Sequence, residues 1–418
     1  MPRVTALWST PFRGNSSYAE HAMALGALIG AYQEDNAGGL RALLPLAGRT
    51  LIEYQARCLA AAGAAPLVVL VERVPVALND AFERLRAEGI AVVAVSDGNE
   101  AASRFEAGSQ LILLGDGIVP DMRNLERLAE EDEAAILTVP DDDDHAEFER
   151  IDGLQRWAGL ARVESGMLGA TAAMLGDWDL QSTLLRRVIQ SGARLIPSPA
   201  GDGHGAFLAA SQEAVAGFER RLLVASRTAR KDAVSRYLLP LVEEMATEKL
   251  METSVRPAWL VQAAVVMTVA AAFCFTRGWH WGAVALLLLS TPLDLVAQRL
   301  AILRLQPLGS SLLSRRLLWP AAGLALVALG WFEARHGSGW GAMVAALGGA
   351  AFAEAARVER QGMTLPAGEW LFSRRTAICL ALPFAIGGWW SLFLGLIALY
   401  AATSFFIAQH FRHSVQRD

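Results

Sequence analysis

One aspartate and one arginine in this chain sit where charge is costly. In the stretch Thr291 to Arg316, TPLDLVAQRLAILRLQPLGSSLLSRR, Asp294 lies near the end of a run, Trp281 to Val296, that is otherwise nearly all apolar. Arg299 follows five residues later. An ionisable group at membrane depth is read first as a functional site. A carboxylate there can help hold a divalent cation together with substrate phosphates and water. The neighbouring Arg299, Arg304, Arg315 and Arg316 can bind phosphate-bearing headgroups. The same residues also have a plain reading, in which Asp294 and Arg299 form a buried pair at a helix end, the arginine snorkels to the interface, and the remaining arginines fix topology.

The elements that must position these groups follow from composition. Of 418 residues, 53% are hydrophobic and 19% charged, and the mean hydropathy is +0.32. A soluble chain of this length carries nearer a quarter charged residues. Most acidic residues precede Thr253, and long apolar runs dominate after it. This split predicts a soluble domain followed by a membrane domain. The net charge of −5 gives no basic field for nucleic acid. Three cysteines, Cys58, Cys274 and Cys379, show neither metal-ligand spacing nor a disulfide framework and read as small buried hydrophobes. The opening MPRVTALWSTPFRGNSS lacks a signal-peptide core, so the first domain is expected in the cytoplasm.

Residues Ala19 to Tyr32 read as a helix, being alanine-rich with Met23, Leu25, Leu28 and Ile29. A turn at Pro45 to Gly48 precedes a helix from Thr50 to Ala62 and a strand at Pro66 to Val71. Helices at Val76 to Glu88 and Met122 to Glu131 then alternate with strands at Ile90 to Val95, Gln110 to Leu114 and Ala134 to Val139. Such alternation predicts an α/β domain with a mostly parallel, buried sheet. Asp141 to Asp144 read as a solvated loop. From Ser211 to Met251 the pattern is helical, and Lys231 to Trp259 has the character of a helix lying in the headgroup plane.

Six apolar spans follow, at Ala258–Thr276, Trp279–Ala297, Leu317–Phe332, Trp340–Ala356, Thr376–Trp389 and Ser391–His410. Several are shorter than the roughly 20 residues that cross a bilayer. Arginines gather in the second loop (Arg299, Arg304, Arg315, Arg316), the fourth (Arg357, Arg360, Arg374, Arg375) and the tail (Arg412, Arg417), against Arg277 and Arg335 elsewhere. The positive-inside rule then sets both termini in the cytoplasm of a bacterial-type inner membrane. Gly339, Gly341, Gly348 and Gly349 suit close helix packing. Glu354 is placed to neutralise an arginine, and Trp279, Trp281, Trp389 and Trp390 to mark the outer interface.

The stretch around Asp294 resembles the CDP-alcohol phosphotransferases, which carry D-x-x-D-G-x-x-A-R and, after a short gap, G-x-x-x-D-x-x-x-D. Aligning Arg299 to the family arginine puts Asp294 on the second aspartate, Thr291 on the first, Leu295 on the glycine and Gln298 on the alanine. Gly309 matches the second glycine with a one-residue slip, and Leu313 and Leu317 stand where carboxylates follow. One family carboxylate of four remains, whereas the family's chemistry implies several around its metal ions.

The N-terminal part resembles the sugar-nucleotide-type nucleotidyltransferases. LRALLPLAGRTLIEYQARCLAAAG is similar to that family's K-P-L-L-P-V-x-G-x-P-L-I segment, with Arg41 in place of the phosphate-binding lysine. LILLGDGIVPD resembles the strand that ends in a metal-binding aspartate, here Asp116. A glycine-rich phosphate loop is not found in VTALWSTPFRGNSS, and Ala206 to Leu223 lacks the second metal aspartate. Gly201, Asp202, Gly203 and His204 lie near the latter position. KDAVSRYLLP is similar to the junction of fused enzymes of the inositol-phosphate cytidylyltransferase and di-inositol-phosphate-phosphate synthase type.

The resemblance implies a Rossmann-like nucleotidyltransferase-type α/β domain over 1–225, a juxtamembrane amphipathic helix and linker over 226–257, and an all-α six-helix transmembrane domain over 258–418. It also implies a homodimer, with membrane lipid and CDP-alcohol or CTP as ligands. Losses at both sites point to a catalytically degenerate binding or assembly subunit, and neither site carries a full ligand set for a cofactor. The alternative is an active transferase that moves a phospho-headgroup from a CDP-activated donor to a lipid or polyol alcohol. It would use Mg²⁺ on Asp294 and Asp116, with Glu354 or Asp202 recruited. A transporter fits less well, since the spans hold few polar groups and show no inverted repeat.

Overall fold

Short all-apolar runs bounded by glycine and proline can bury both faces, which suits the middle of a parallel sheet. The computed structural model describes residues 25–175, 179–198, 205–225, 232–251, 253, 255–305, 312–360 and 368–415, in two units divided between Ala225 and Ser226. Among the described residues, the main sheet of the first unit has seven strands: β1 (Leu25–Gly30), β2 (Leu67–Leu70), β3 (Val92–Val95), β4 (Gln110–Leu114), β5 (Ala135–Pro140), β6 (Gln155–Glu164) and β7 (Arg194–Pro197). Their order is β7-β5-β6-β4-β1-β2-β3, parallel throughout except that β6 runs antiparallel to both neighbours. The α/β class with a parallel-rich sheet is therefore as the alternation predicts.

Helix α1 (Leu51–Ala61) starts where Thr50 can cap it. The Thr50 backbone N–H and hydroxyl both donate to Glu53 (3.0 and 2.9 Å), satisfying a donor that the first turn would leave orphaned. Glu53 is buried and also receives Arg84 and Arg57. Helices α2 (Val76–Ala87), α3 (Gly98–Ser103), α4 (Met122–Glu130), α5 (Ser165–Ala172) and α6 (Leu180–Gln190) complete the layers. Leu28, Val68, Leu113, Ile136, Ala161 and Leu184 lie in one buried cluster beside the sheet. Helix α7 (Gln212–Ala225) closes the unit.

One reading is corrected here. The segment read as a helix from Ala19 to Tyr32 contains β1, an interior strand of the sheet, over Leu25–Gly30, and Ala19 to Ala24 lie outside the described residues. A strand buried on both sides has the same continuous apolar run as a buried helix, so periodicity does not separate them. The loop Asp141 to Asp144 is solvated as read, with Asp142 to Asp144 exposed and Asp141 held by Arg150 and Arg156.

The second unit opens with α8 (Ala233–Tyr237) and α9 (Pro240–Met251). Six helices follow among the described residues: α10 (Pro257–Thr276), α11 (His280–Leu303), α12 (Leu312–Glu333), α13 (Trp340–Glu359), α14 (Arg374–Gly387) and α15 (Trp390–Val415). Each contributes to one apolar core, through Phe275, Leu287, Leu329, Ala346, Ile378 and Leu394 in turn. Their outer faces expose Val266, Phe273, Leu289, Leu324, Val344 and Leu396, as a lipid-facing surface would.

Among the described residues, five helices are long and apolar enough to cross a membrane: Pro257–Thr276, His280–Leu303, Arg316–Ser338, Trp340–Glu359 and Trp390–His413. The fifth span of the sequence reading, Thr376–Trp389, overlaps α14, which ends at Gly387 and has only 14 residues. At about 1.5 Å per residue it reaches roughly 21 Å, short of the ~30 Å hydrocarbon core. Gly388, at φ 68°, caps it in the left-handed region where glycine is favoured.

Among the glycines singled out, Gly349 sits at a tight crossing. A Cβ there would lie 3.3 Å from Leu326 and 3.4 Å from the Ala398 backbone. Gly339, Gly341 and Gly348 face open space, and the closest approach in this unit is at Gly330, where a Cβ would meet that of Ala346 at 2.4 Å. Glu354 pairs with Arg357. Trp279, Trp281 and Trp389 are exposed, but Trp390 packs inward on His280, with ring centroids 5.0 Å apart.

Candidate functional site

In the α/β unit, two residues picked from the sequence line one cleft. Asp116 stands two residues past β4, and Gly117, at φ 71°, lets the chain turn sharply there. Arg41 lines the same open cleft of about 500 Å³. The chain leaving the adjacent β1 folds over Asp116, so that the Tyr32 and Gln33 backbone N–H groups both donate to its Oδ2 (2.6 and 2.7 Å). Two successive N–H groups of this kind form an anion nest, filled here by the protein's own carboxylate.

The remaining oxygen, Asp116 Oδ1, is buried and has no hydrogen-bond partner among the described residues. Burial pushes the Asp116 carboxyl up to about 6, against the pull of the Gln33 and Tyr32 N–H groups, the Arg41 charge and the Gly117 N–H. Arg41 itself is engaged, donating from Nη1 to Gln33 (2.7 Å) and from Nε to the Glu34 carbonyl (3.2 Å).

Residues that the sequence reading passed over complete the cleft. The Tyr32 hydroxyl donates to Asp179 Oδ1 (2.9 Å) and lies 3.1 Å from Gln181 Oε1. Burial, and then the Asp179 charge, hold the proton on this phenol. Asp179 also caps α6. The Ser182 hydroxyl is 3.0 Å from Glu149 and 2.9 Å from Asp179, and burial raises the Glu149 carboxyl. Trp157 on β6 adds a ring whose Nε1–H is buried and unpartnered among the described residues.

The chain returns to this site at Phe207–Leu208, which pairs with Ile118–Val119 and puts the Ala209 N–H on the Gly117 carbonyl (2.7 Å). Gly205 to Ser211 carry no carboxylate there. Gly201, Asp202, Gly203 and His204 lie outside the described residues, as does the opening stretch searched for a phosphate loop. The chain that follows β1, Ala31 to Leu40, presents the Tyr32 and Gln33 N–H groups to Asp116.

In the membrane unit, Asp294 and Arg299 both belong to α11 and are buried. Asp294 Oδ2 accepts from Arg375 Nη2 (2.7 Å) and lies 3.8 Å from Arg374 Nη2, while Oδ1 accepts from Gln298 (3.0 Å). Arg375 reaches on to Asp232 at the start of α8 (2.6 Å), so one guanidinium bridges two carboxylates. Arg299 ion-pairs with Glu243 of α9 at 3.3 Å, both buried, rather than reaching outward. Arg374 and Arg375 read in the sequence as topology signals only. Asp232 and Glu243 lie in stretches that read as an amphipathic helix.

The arginines expected to meet phosphate differ in placement. Arg304 is 1% exposed, and its guanidinium donates to the carbonyls of Leu250 (3.0 Å), Thr253 (2.6 Å) and Val255 (2.6 Å), tying the end of α11 to the chain between α9 and α10. Arg316 is exposed on α12, and Arg315 precedes it in that helix. Among the described residues no three histidine, cysteine, aspartate or glutamate side chains cluster so as to hold a metal ion. Asp294 stands in arginine and glutamine contacts, and Asp116 in backbone contacts.

No protein-family model matches the chain, and no curated protein does. Among solved structures, a putative glucose-1-phosphate thymidylyltransferase from Bacillus anthracis, in complex with a sucrose, is similar in fold to the N-terminal part. The likeness covers 47% of this chain and 94% of that one, at 10% identity and a TM-score of 0.39.

Proposed function

We propose that this chain is a polytopic membrane protein whose nucleotidyltransferase-like and CDP-alcohol-phosphotransferase-like parts bind or assemble rather than transfer. One observation carries this reading. Asp294, the carboxylate that the motif leaves at the membrane site, has both oxygens engaged by Arg375, Arg374 and Gln298. A cation there would have to displace two guanidinium groups from a buried carboxylate. The Asp116 site supports the same reading, since its carboxylate fills its own N–H nest and the strand returning beside it brings no second carboxylate.

A lipid bilayer is the partner that the exposed apolar faces call for. The arginine distribution supports cytoplasmic termini in a bacterial-type inner membrane, and the resemblance supports a homodimer. An active transferase is favoured by one observation: Arg41 and Asp116, the residues that the nucleotidyltransferase resemblance picks, do share a cleft. Titration of the purified protein with CTP and with a CDP-alcohol, with and without Mg²⁺, separates the two. The binding reading expects no Mg²⁺-dependent uptake of either.

A further inference from the structure

The cleft around Asp116 has a composition that suits a particular ligand chemistry. Its acidic lining is Asp116, Glu147, Glu149 and Asp179, and against these it presents Arg41, already engaged with Gln33 and the Glu34 carbonyl. Such a cleft repels a polyphosphate and concentrates cations. It is also aromatic, with Tyr32, Phe148 and Trp157 among its walls, and aromatic faces attract organic cations.

A second observation concerns hydrogen bonds. Asp116 is 6% exposed and Trp157 5% exposed, and both line the cleft. Asp116 Oδ1 and Trp157 Nε1–H have no partner among the described residues. Buried polar groups are nearly always paired, so an unmatched acceptor and an unmatched donor in one cleft point to a ligand that supplies the complements.

We infer that this cleft binds an amino alcohol: a protonated or quaternary amine carrying a hydroxyl, its positive charge held among the carboxylates and rings and its hydroxyl exchanging hydrogen bonds with Asp116 and Trp157. The inference rests on the reading of the α/β domain as a binding domain, and it adds the ligand class.

The test uses the full chain in detergent micelles, with ethanolamine and choline as probes and glucose and CTP with Mg²⁺ as comparators. Binding is read by calorimetry and by the melting temperature. The amines should bind and raise Tm, while glucose and CTP should do neither. Asp116→Asn should weaken amine binding by about tenfold or more, the scale of one buried charge-assisted contact. Trp157→Phe keeps an aromatic face but lacks the Nε1–H, and it should weaken binding several-fold, with the free variant still melting cooperatively although its smaller ring lowers Tm. It keeps the test informative should Asp116→Asn fold poorly. Glucose binding as well as the amines overturns the inference, as does folded protein that ignores both amines at 10 mM or so, and either result leaves the binding reading intact. CTP binding that needs Mg²⁺ and excludes the amines overturns both.

Discussion

Asp294→Asn is the substitution on which the structural and the metal-ligand roles of Asp294 part most clearly. The carboxylate is 5% exposed and lies between Arg375 at 2.7 Å and Arg374 at 3.8 Å. Removing one member of a buried ion pair costs about 3–5 kcal/mol, because the other charge is left without its partner. Arg375 keeps Asp232 at 2.6 Å, so its charge stays partly matched. The lower figure, about 3 kcal/mol, is therefore expected. For a unit of this size each kcal/mol moves Tm by about 2–4 °C, so the variant should melt roughly 6–12 °C below wild type. Tryptophan fluorescence in detergent suits the assay, since residues 258–418 hold nine of the twelve tryptophans. Mg²⁺ should leave both proteins unchanged. A Tm within about 2 °C of wild type, or a wild-type protein that Mg²⁺ stabilises and the variant does not, would refute the reasoning.

Two further outcomes follow from other buried charges. Arg304→Met removes the donors to the carbonyls of Leu250, Thr253 and Val255, and unfilled buried acceptors should cost about 2–4 kcal/mol in the same melting assay, whereas a phosphate-binding Arg304 would leave Tm unchanged. Burial pushes the Glu53 carboxyl up, but hydrogen bonds from Arg84 and Thr50 and the charge of Arg57 outweigh this and hold it below its ordinary value. A depressed carboxyl stabilises the fold above its unfolded pKa, near 4.5, and that contribution fades as pH falls through the folded value. Denaturant titrations should therefore show wild type losing stability below about pH 4.5 faster than Glu53→Gln, and parallel curves would exclude this.

Much of the scaffold was legible because it rests on local chemistry. Thr50 and Glu53 announce a helix start, and Gly63 its stop, while the five valines and leucines of Leu67–Val71 admit little but a buried strand. Strand β6 escaped because it carries Arg156 and Arg162 without alternation. Their charges are met by Asp141 and by the Leu128 and Ala129 carbonyls, contacts that only the folded chain supplies. The same limit applies at the sites. Asp294 stands out as a carboxylate in an apolar run, but its partner Arg375 lies 81 residues on. Asp116 was legible from the strand that ends beside it, whereas Tyr32, Glu149, Asp179 and Trp157 reach its cleft from four separate segments. Trp390 differs from Trp389 by one step of chain, and only helix orientation decides which faces inward.

The measurement closest to the central claim is calorimetric titration of the detergent-purified full chain with CTP and with a CDP-alcohol, each with and without Mg²⁺, alongside Asp294→Asn. With the Asp294 oxygens held by arginines and glutamine and the Asp116 nest already filled, neither nucleotide should bind in a metal-dependent way. Mg²⁺-dependent binding that disappears in Asp294→Asn would contradict the account and make the membrane site a working nucleotide site.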